Sequence, residues 1–204
     1  MASKNDSSSS DIDSSSDEDD EESLAVSIPI SNGGVVEIDP EDDEDVETVL
    51  TLLKEERCVP KVWIDVVRAY HMAANGESRR EKRQCEKRLL LSFFNETEWE
   101  SDERHAEDRA LLMVFMGAYW TEEYARLDGL FGRDEYKVSW NEAYDWYAKA
   151  QKLIQASNRD NEEESSLPLA LAHWGKGKLF YLKSRRGRDR VNGTSTLNSS
   201  LVTF

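Results

Sequence analysis

Two stretches, 108–119 (DRALLMVFMGAY) and 140–154 (WNEAYDWYAKAQKLI), decide the fold that this sequence predicts. In the first, large apolar residues recur at spacings of three, four and seven, which places them on one helix face. They are Leu112, Phe115, Met116 and Tyr119, and the matching face of the second stretch carries Ala143, Tyr147, Ala150 and Ile154. Small residues on either side of Tyr147 allow a neighbouring helix to approach closely. The two stretches therefore predict a packed helical hairpin.

A large-residue stripe ending in tyrosine, followed by Ala-x3-Tyr-x2-Ala, is typical of a tetratricopeptide repeat (TPR), a helical hairpin of about 34 residues. Residues 61–74 repeat the stripe with Trp63, Val66, Val67 and Tyr70, but 77–94 lacks the alanine signature, so this earlier unit is degenerate. Residues 167–182 start a third unit. We predict an all-α, TPR-like helical-hairpin solenoid of about two to three units, preceded by a disordered acidic tail.

The chain divides into four predicted regions. Residues 1–27 are a disordered Ser/acidic tail, because they offer too little apolar surface to offset chain entropy. Residues 28–45 are expected to be an extended strap that packs on the first helices without forming a sheet. Residues 46–184 are the TPR-like helical region, in which Asp43 or Asp45 caps the first helix and Pro60 stops it. Residues 185–204 are a polar and basic tail without a helical period.

The charge is concentrated at one end of the chain. The net charge is −16, and residues 1–47 account for all of it, with 17 Asp and Glu against a single base, Lys4. Phosphate repels such a tail, so we expect no direct binding of nucleic acid. No apolar run approaches the ~20 residues of a membrane span, and the N-terminus does not resemble a signal peptide. The sequence thus predicts a soluble intracellular protein, in which Cys58 and Cys85 are buried or half-buried free thiols.

Motifs that carry chemistry are missing from the sequence. The stretch 175–178 (GKGK) lacks the upstream glycine and the Ser or Thr of a phosphate loop, and we interpret a glycine here as a close helix contact. His71, His105 and His173 are isolated, and neither G-x-S-x-G nor H-E-x-x-H occurs. We therefore predict a non-enzymatic protein without a catalytic site, cofactor or metal.

Two surface features remain open at this point. Five aromatic residues cluster around the central hairpin, where they either fill the core or anchor a partner helix or strand; they are Trp120, Trp140, Tyr144, Trp146 and Tyr147. A basic run after the third unit is either a nuclear import signal or a solvated tail; it contains Lys183, Arg185, Arg186, Arg188 and Arg190.

The order of motifs resembles a known family. An apolar strap (IPISNGGVVEI) precedes VETVLTLLKEE, then VWIDVVRAY, EDRALLMVFMGAYW, AYDWYAKAQKLI and HWGKGKLFYLK. Over about 26–183 this resembles the N-terminal region of the large TPR subunit of the RNA polymerase II-associated factor (Paf) complex. The resemblance implies a nuclear scaffold of transcription elongation and associated histone modification. It also implies that the partners are other Paf-complex subunits, which place a helical or extended segment in the TPR groove, with RNA polymerase II contacted indirectly.

In a TPR array the first helix of each hairpin lines the concave side, which gives a set of predicted partner-binding residues. In the first unit they are Lys61, Ile64, Arg68 and His71, and in the second unit they are Ala110, Met113, Gly117 and Trp120. The alternative function is a chaperone-linked TPR adaptor that grips acidic C-termini. Such an adaptor needs a concave cluster of Lys, Asn and Arg, and the second unit offers Ala110, Met113 and Gly117 instead.

Overall fold

The computed structural model describes residues 24–40, 45–74, 78–95, 102–127, 135–157 and 166–200. Most of the predicted acidic tail lies outside these residues. The elements are β1 (Val26–Pro29), β2 (Val35–Ile38), α1 (Val46–Glu55), α2 (Pro60–Met72), α3 (Arg79–Asn95), α4 (Ala106–Arg126), α5 (Glu135–Ser157) and α6 (Leu167–Ser200). A single 3₁₀ turn, Glu103–His105, precedes α4. The described chain is mostly helical, in agreement with the predicted all-α class.

The segment predicted as a strap without a sheet is a β-hairpin instead. Strands β1 and β2 pair antiparallel, from Val26 opposite Ile38 to Pro29 opposite Val35. Gly33 makes the turn with φ +84°, a left-handed conformation that costs glycine little. The prediction was wrong because no partner strand was evident in the sequence. A proline at the end of a two-stranded ladder is tolerated, since its missing N–H faces no required acceptor. Strand β1 also begins inside the range assigned to the disordered tail.

Helix α1 begins where the sequence predicted a cap. The side chain of Asp45 accepts a hydrogen bond of 3.1 Å from the backbone N–H of Glu47. Helix α1 then buries Val46, Val49, Leu50 and Leu53 on one face. The other proposed capping residue, Asp43, lies outside the described residues.

Removing this cap gives a modest and specific prediction. Asp45→Ala is expected to lower the free energy of unfolding by about 1 kcal/mol, because one N–H of the first turn loses its acceptor. Asp45→Asn keeps an acceptor oxygen at the same place and should retain most of that stability. Urea unfolding followed by circular dichroism measures both. If asparagine costs as much as alanine, the helix start is not stabilised by this hydrogen bond.

The N-terminal core joins the hairpin to the first helices. Ile28 and Ile38 project from the two strands into a cluster that includes Trp63 and Tyr70 of α2 and Leu89 of α3. Trp63 is 2% exposed and donates from Nε1 to the carbonyl oxygen of Cys58 at 3.1 Å. Its ring packs edge-on against Phe93. The hairpin is therefore part of the core and covers a side of α2.

The C-terminal core is the packing of α4, α5 and α6 against one another, and Tyr147 lies at its centre. The predicted stripe of α5 is confirmed, since Ala143, Tyr147, Ala150 and Ile154 are at most 2% exposed. The ring of Tyr147 lies against two glycines, Gly117 of α4 and Gly175 of α6. A Cβ atom at Gly175 would lie 2.3 Å from that ring, which confirms a glycine of the GKGK stretch as a close helix contact.

The last predicted boundary is also wrong. The backbone of α6 remains helical to Ser200, although 185–204 was predicted to have no helix. An apolar period indicates which helix face is buried, and a helical backbone can continue without one. The loss of the apolar period after Ser184 therefore did not mark the end of the helical backbone.

Candidate functional site

Helix α2 places only part of the predicted partner-binding set at the surface. Lys61 is exposed and pairs with Asp65 at 3.1 Å, and Arg68 is exposed. Ile64, however, is 3% exposed and belongs to the same core cluster as the hairpin residues. The prediction that Ile64 lies on a free face is wrong, because α2 packs against β1 as well as α3 and α4. The TPR-like interpretation of the sequence included no β-hairpin that could cover this side of α2.

Helix α4 departs further from the prediction. Ala110 is fully buried, and a Cβ atom at Gly117 would lie 2.7 Å from the ring of Tyr147. Neither residue is free to bind a partner. Met113 and Trp120 are half-buried and pack against the core. Helix α4 contacts α2, α3, α5 and α6, so it is a central helix covered on most sides.

His71, the fourth residue predicted on α2, belongs to a buried charge network. Glu86 of α3 is fully buried, and its Oε2 accepts from Nη1 of Arg83 and lies 3.3 Å from Nδ1 of His71. Arg83 also lies 2.9 Å from a carboxylate oxygen of Glu122 on α4. These contacts tie α2, α3 and α4 together through charge. We assign His71 a structural role in this network.

The aromatic cluster of the central hairpin is core. Tyr147 is 2% exposed, and the other four rings are half-buried against the two core clusters. The rings of Trp140 and Tyr144 stack with their centres 5.3 Å apart, and the ring centre of Phe94 on α3 lies 4.6 Å from that of Trp146. The exposed aromatic residues of the described chain lie elsewhere, on α6: they are Trp174, Phe180 and Tyr181.

Helix α6 carries an exposed seam. Leu167, Trp174 and Tyr181 are seven residues apart, and 65%, 65% and 58% of their surfaces are exposed. Three small exposed residues alternate with them at spacings of three and four: Ala170, Gly177 and Ser184. We call these six residues the α6 seam. Large and small residues at alternating three- and four-residue steps are the pattern with which helices pack side by side.

Basic residues border the α6 seam. Nζ of Lys178 lies 5.3 Å from the ring centre of Trp174, and Arg185 is exposed near the C-terminal end of the seam, whereas Lys183 turns toward α5 and lies over the ring of Trp140. On the side facing α5, Phe180 packs edge-on against Trp140 and Tyr144. An open space surrounds Gly177, at which a Cβ would meet no atom within 4 Å. The seam is thus an apolar stripe with a cationic edge and room for a closely approaching backbone.

The spacing of the α6 seam could have been found in the sequence. Residues 167, 170, 174, 177 and 181 follow a three-four repeat, but the same stretch also contains the buried Ala172, Gly175 and Leu179. A helix with apolar residues on two faces gives no indication of which face has a neighbour. Only the position of α6 against α4 and α5 distinguishes them.

The thiols and titratable groups show no assembled chemistry in the described part of the chain. Cys58 is buried and Cys85 half-buried, and both are free, as predicted. Burial raises the pKa of both thiols, so the reactive thiolate is scarce at neutral pH. No group of three or more His, Cys, Asp or Glu among the described residues could hold a metal ion. Within the same residues, none of the helices combines the length and apolarity needed to cross a membrane.

Comparison of the chain with models of protein families, with curated proteins and with solved structures found no match.

Proposed function

We propose that this protein is a non-enzymatic, TPR-like interaction scaffold that works in the nucleus with subunits of the Paf complex. The scaffold acts in RNA polymerase II transcription elongation and the histone modification linked to it. The motif order from the apolar strap to HWGKGKLFYLK supports the family resemblance. The α6 seam is the observation that carries the interaction role, because monomeric soluble proteins rarely keep such a row of large apolar residues in water.

The occupant that fits the α6 seam is a helix of a partner subunit. From Leu167 to Ser184 the seam is about 26 Å long at 1.5 Å per residue, enough for a partner helix of about five turns. The small residues at 170, 177 and 184 leave room for the partner's large side chains. The basic border predicts acidic residues flanking the apolar stripe of that helix. This surface replaces the predicted face of α2 and α4, where five of the eight residues are buried or in core contact.

The chaperone-linked adaptor has one observation in its favour, a groove between α3 and α4 lined by four arginines. Acidic C-termini could bind there through charge. The clamp of such an adaptor was predicted on α2 and α4, however, where Lys61 is engaged by Asp65 and both Ala110 and Gly117 are buried. We therefore keep the elongation scaffold as the proposed function.

Substitutions in the α6 seam test the scaffold. Trp174→Glu with Tyr181→Glu is expected to lower recovery of Paf-complex subunits at least ~10-fold, since truncating two central aromatic anchors typically costs more than about 1.4 kcal/mol. The measurement is an affinity purification from nuclear extract with the tagged full chain, quantified by mass spectrometry. Val138→Glu on α5 is the matched control, because Val138 is 54% exposed and lies outside the seam.

Two outcomes of this experiment would count against the proposal. If the wild-type chain recovers no Paf-complex subunit, the functional assignment fails. If the subunits are recovered equally with the seam variant, the assignment of the α6 seam as the partner-binding surface fails. Circular dichroism melting of each variant establishes that any loss of binding is not a loss of fold. Recovery of chaperones alone would favour the adaptor.

A further inference from the structure

A groove of about 660 Å³ lies between the first turns of α3 and the last turns of α4. Six of its lining residues are charged: Arg79, Arg80, Arg83, Glu122, Glu123 and Arg126. The uncharged residues Gln84, Tyr119 and Ala125 also line it. Among the described lining residues four arginines face two glutamates, and Arg83 is also paired with the buried Glu86, so one positive charge is left in excess. This groove is distinct from the α6 seam.

The two glutamates do not neutralise the arginines evenly. Arg126 pairs with Glu123 at 2.7 Å, and Arg83 pairs with Glu122 at 2.9 Å. The Nη2 atom of Arg83 is nevertheless buried and makes no hydrogen bond of good geometry. Only 9% of the Arg83 side chain is exposed. Arg79 reaches Glu122 only at 3.8 Å and is 67% exposed. Arg80 is exposed and has no ion-pair partner among the described residues.

The start of α3 adds to this positive potential. Its first five residues include three arginines that line the groove, Arg79, Arg80 and Arg83, against one acid, Glu81, whereas the buried Lys82 donates to the carbonyl oxygen of Pro40. The N-terminus of a helix carries partial positive charge and normally favours acidic residues, so this arrangement concentrates charge of one sign. The repulsion is relieved if an anionic group enters the groove.

We propose that the groove binds the chain's own acidic segment, residues 1–23. This segment holds nine Asp and Glu and one base, Lys4, which gives a net charge of −8, and it contains nine serines. Carboxylates suit arginine because the planar guanidinium donates two parallel hydrogen bonds to them. The serines add a means of control, since each phosphate adds up to two negative charges that arginine also binds.

The connection between the segment and the groove makes such binding feasible. The segment leads into β1, whose hairpin is anchored to α3 by a hydrogen bond from Nζ of Lys82 to the carbonyl oxygen of Pro40. Twenty-three residues span up to about 75 Å when extended, several times the radius of a domain of this size. Exposed ion pairs contribute little individually, but a tether raises the local concentration to about the millimolar range. Intramolecular binding is therefore favoured over the same contact with a separate peptide.

Chemical modification of arginine in the intact chain tests the proposal. Phenylglyoxal reacts with accessible guanidinium groups, and peptide mass spectrometry gives the rate at each residue. The comparison variant keeps the full length but replaces all nine Asp and Glu of residues 1–23 with Asn and Gln. Arg79 and Arg80 are expected to react about threefold more slowly in the wild type, as for a groove occupied about two-thirds of the time. Arg68 of α2, exposed and outside the groove, is the internal control.

Salt and an added peptide sharpen the test. At about 1 M salt the Debye length is about 3 Å, so the protection should disappear if it is electrostatic. A synthetic peptide of residues 1–23 added to the neutralised variant should restore protection at high concentration. The proposal would be overturned if Arg79 and Arg80 react at equal rates in the two proteins. It would also be overturned if Arg68 is slowed in the wild type as much as Arg79 and Arg80 are. If added peptide protects but the tethered segment does not, the groove takes an acidic partner from another chain and the intramolecular assignment is wrong.

Discussion

Gly175→Ala is expected to lower the free energy of unfolding by about 1–3 kcal/mol, the usual cost of extra atoms in a packed core. The added Cβ would lie 2.3 Å from Cζ of Tyr147 and 2.6 Å from its hydroxyl oxygen. The ring cannot move aside freely, because it is 2% exposed and its hydroxyl lies 3.2 Å from Oγ1 of Thr121. Either that hydrogen bond breaks or α6 moves away from α5.

Gly177→Ala is the matched control for this prediction. It lies two residues further along the same helix, and its Cβ would meet no atom within 4 Å. Alanine there should stabilise the chain by about 0.5–1 kcal/mol, because glycine loses more backbone entropy on folding. Urea unfolding of the two full-length variants, followed by circular dichroism, should give changes of opposite sign. If both variants are stabilised, the contact between α6 and Tyr147 is not tight.

The interface around Tyr147 shows how far the sequence could predict this fold. The sizes and spacing of Ala143, Tyr147 and Ala150 are local properties, and they determined correctly which face of α5 is buried. The sequence also indicated that a glycine near 175 marks a close contact. It gave no means of pairing Gly117 with the same ring, because that contact depends on how α4 and α6 are placed around α5. Gly117 was therefore predicted to bind a partner.

The incorrect predictions share a physical cause. Ile64 was expected on a free face because helical periodicity cannot show that a hairpin from another part of the chain covers that face. Strand β1 was missed because no partner strand was evident in the sequence. A two-stranded ladder tolerates Pro29 at its end. The extent of α6 was missed because periodicity indicates burial and not backbone conformation. Local features were predictable, whereas the choice of which surfaces are covered was not.

Arg83→Met is expected to destabilise the chain by about 3–5 kcal/mol, because it leaves the carboxylate of Glu86 buried without its principal counter-charge. Glu86 is fully buried; among the described residues, Arg83 and His71 contact its Oε2, and its Oε1 has no hydrogen-bond partner. Methionine keeps much of the apolar stem of arginine and removes the guanidinium. Arg79→Met is the control, since Arg79 is 67% exposed and its 3.8 Å pair with Glu122 should contribute at most about 0.5 kcal/mol.

A double variant separates the cost of an unpaired charge from the loss of other contacts. Arg83→Met combined with Glu86→Leu removes both charges, and replacing a buried ion pair by apolar residues of similar size is often neutral or stabilising. We therefore expect the double variant to regain most of the stability that Arg83→Met loses, as measured by urea unfolding. Arg83 also lies 5.3 Å from the ring centre of Tyr119 and 2.9 Å from Glu122. If the double variant is as unstable as Arg83→Met alone, Arg83 stabilises the fold through those contacts with α4, and compensating Glu86 is not its main role.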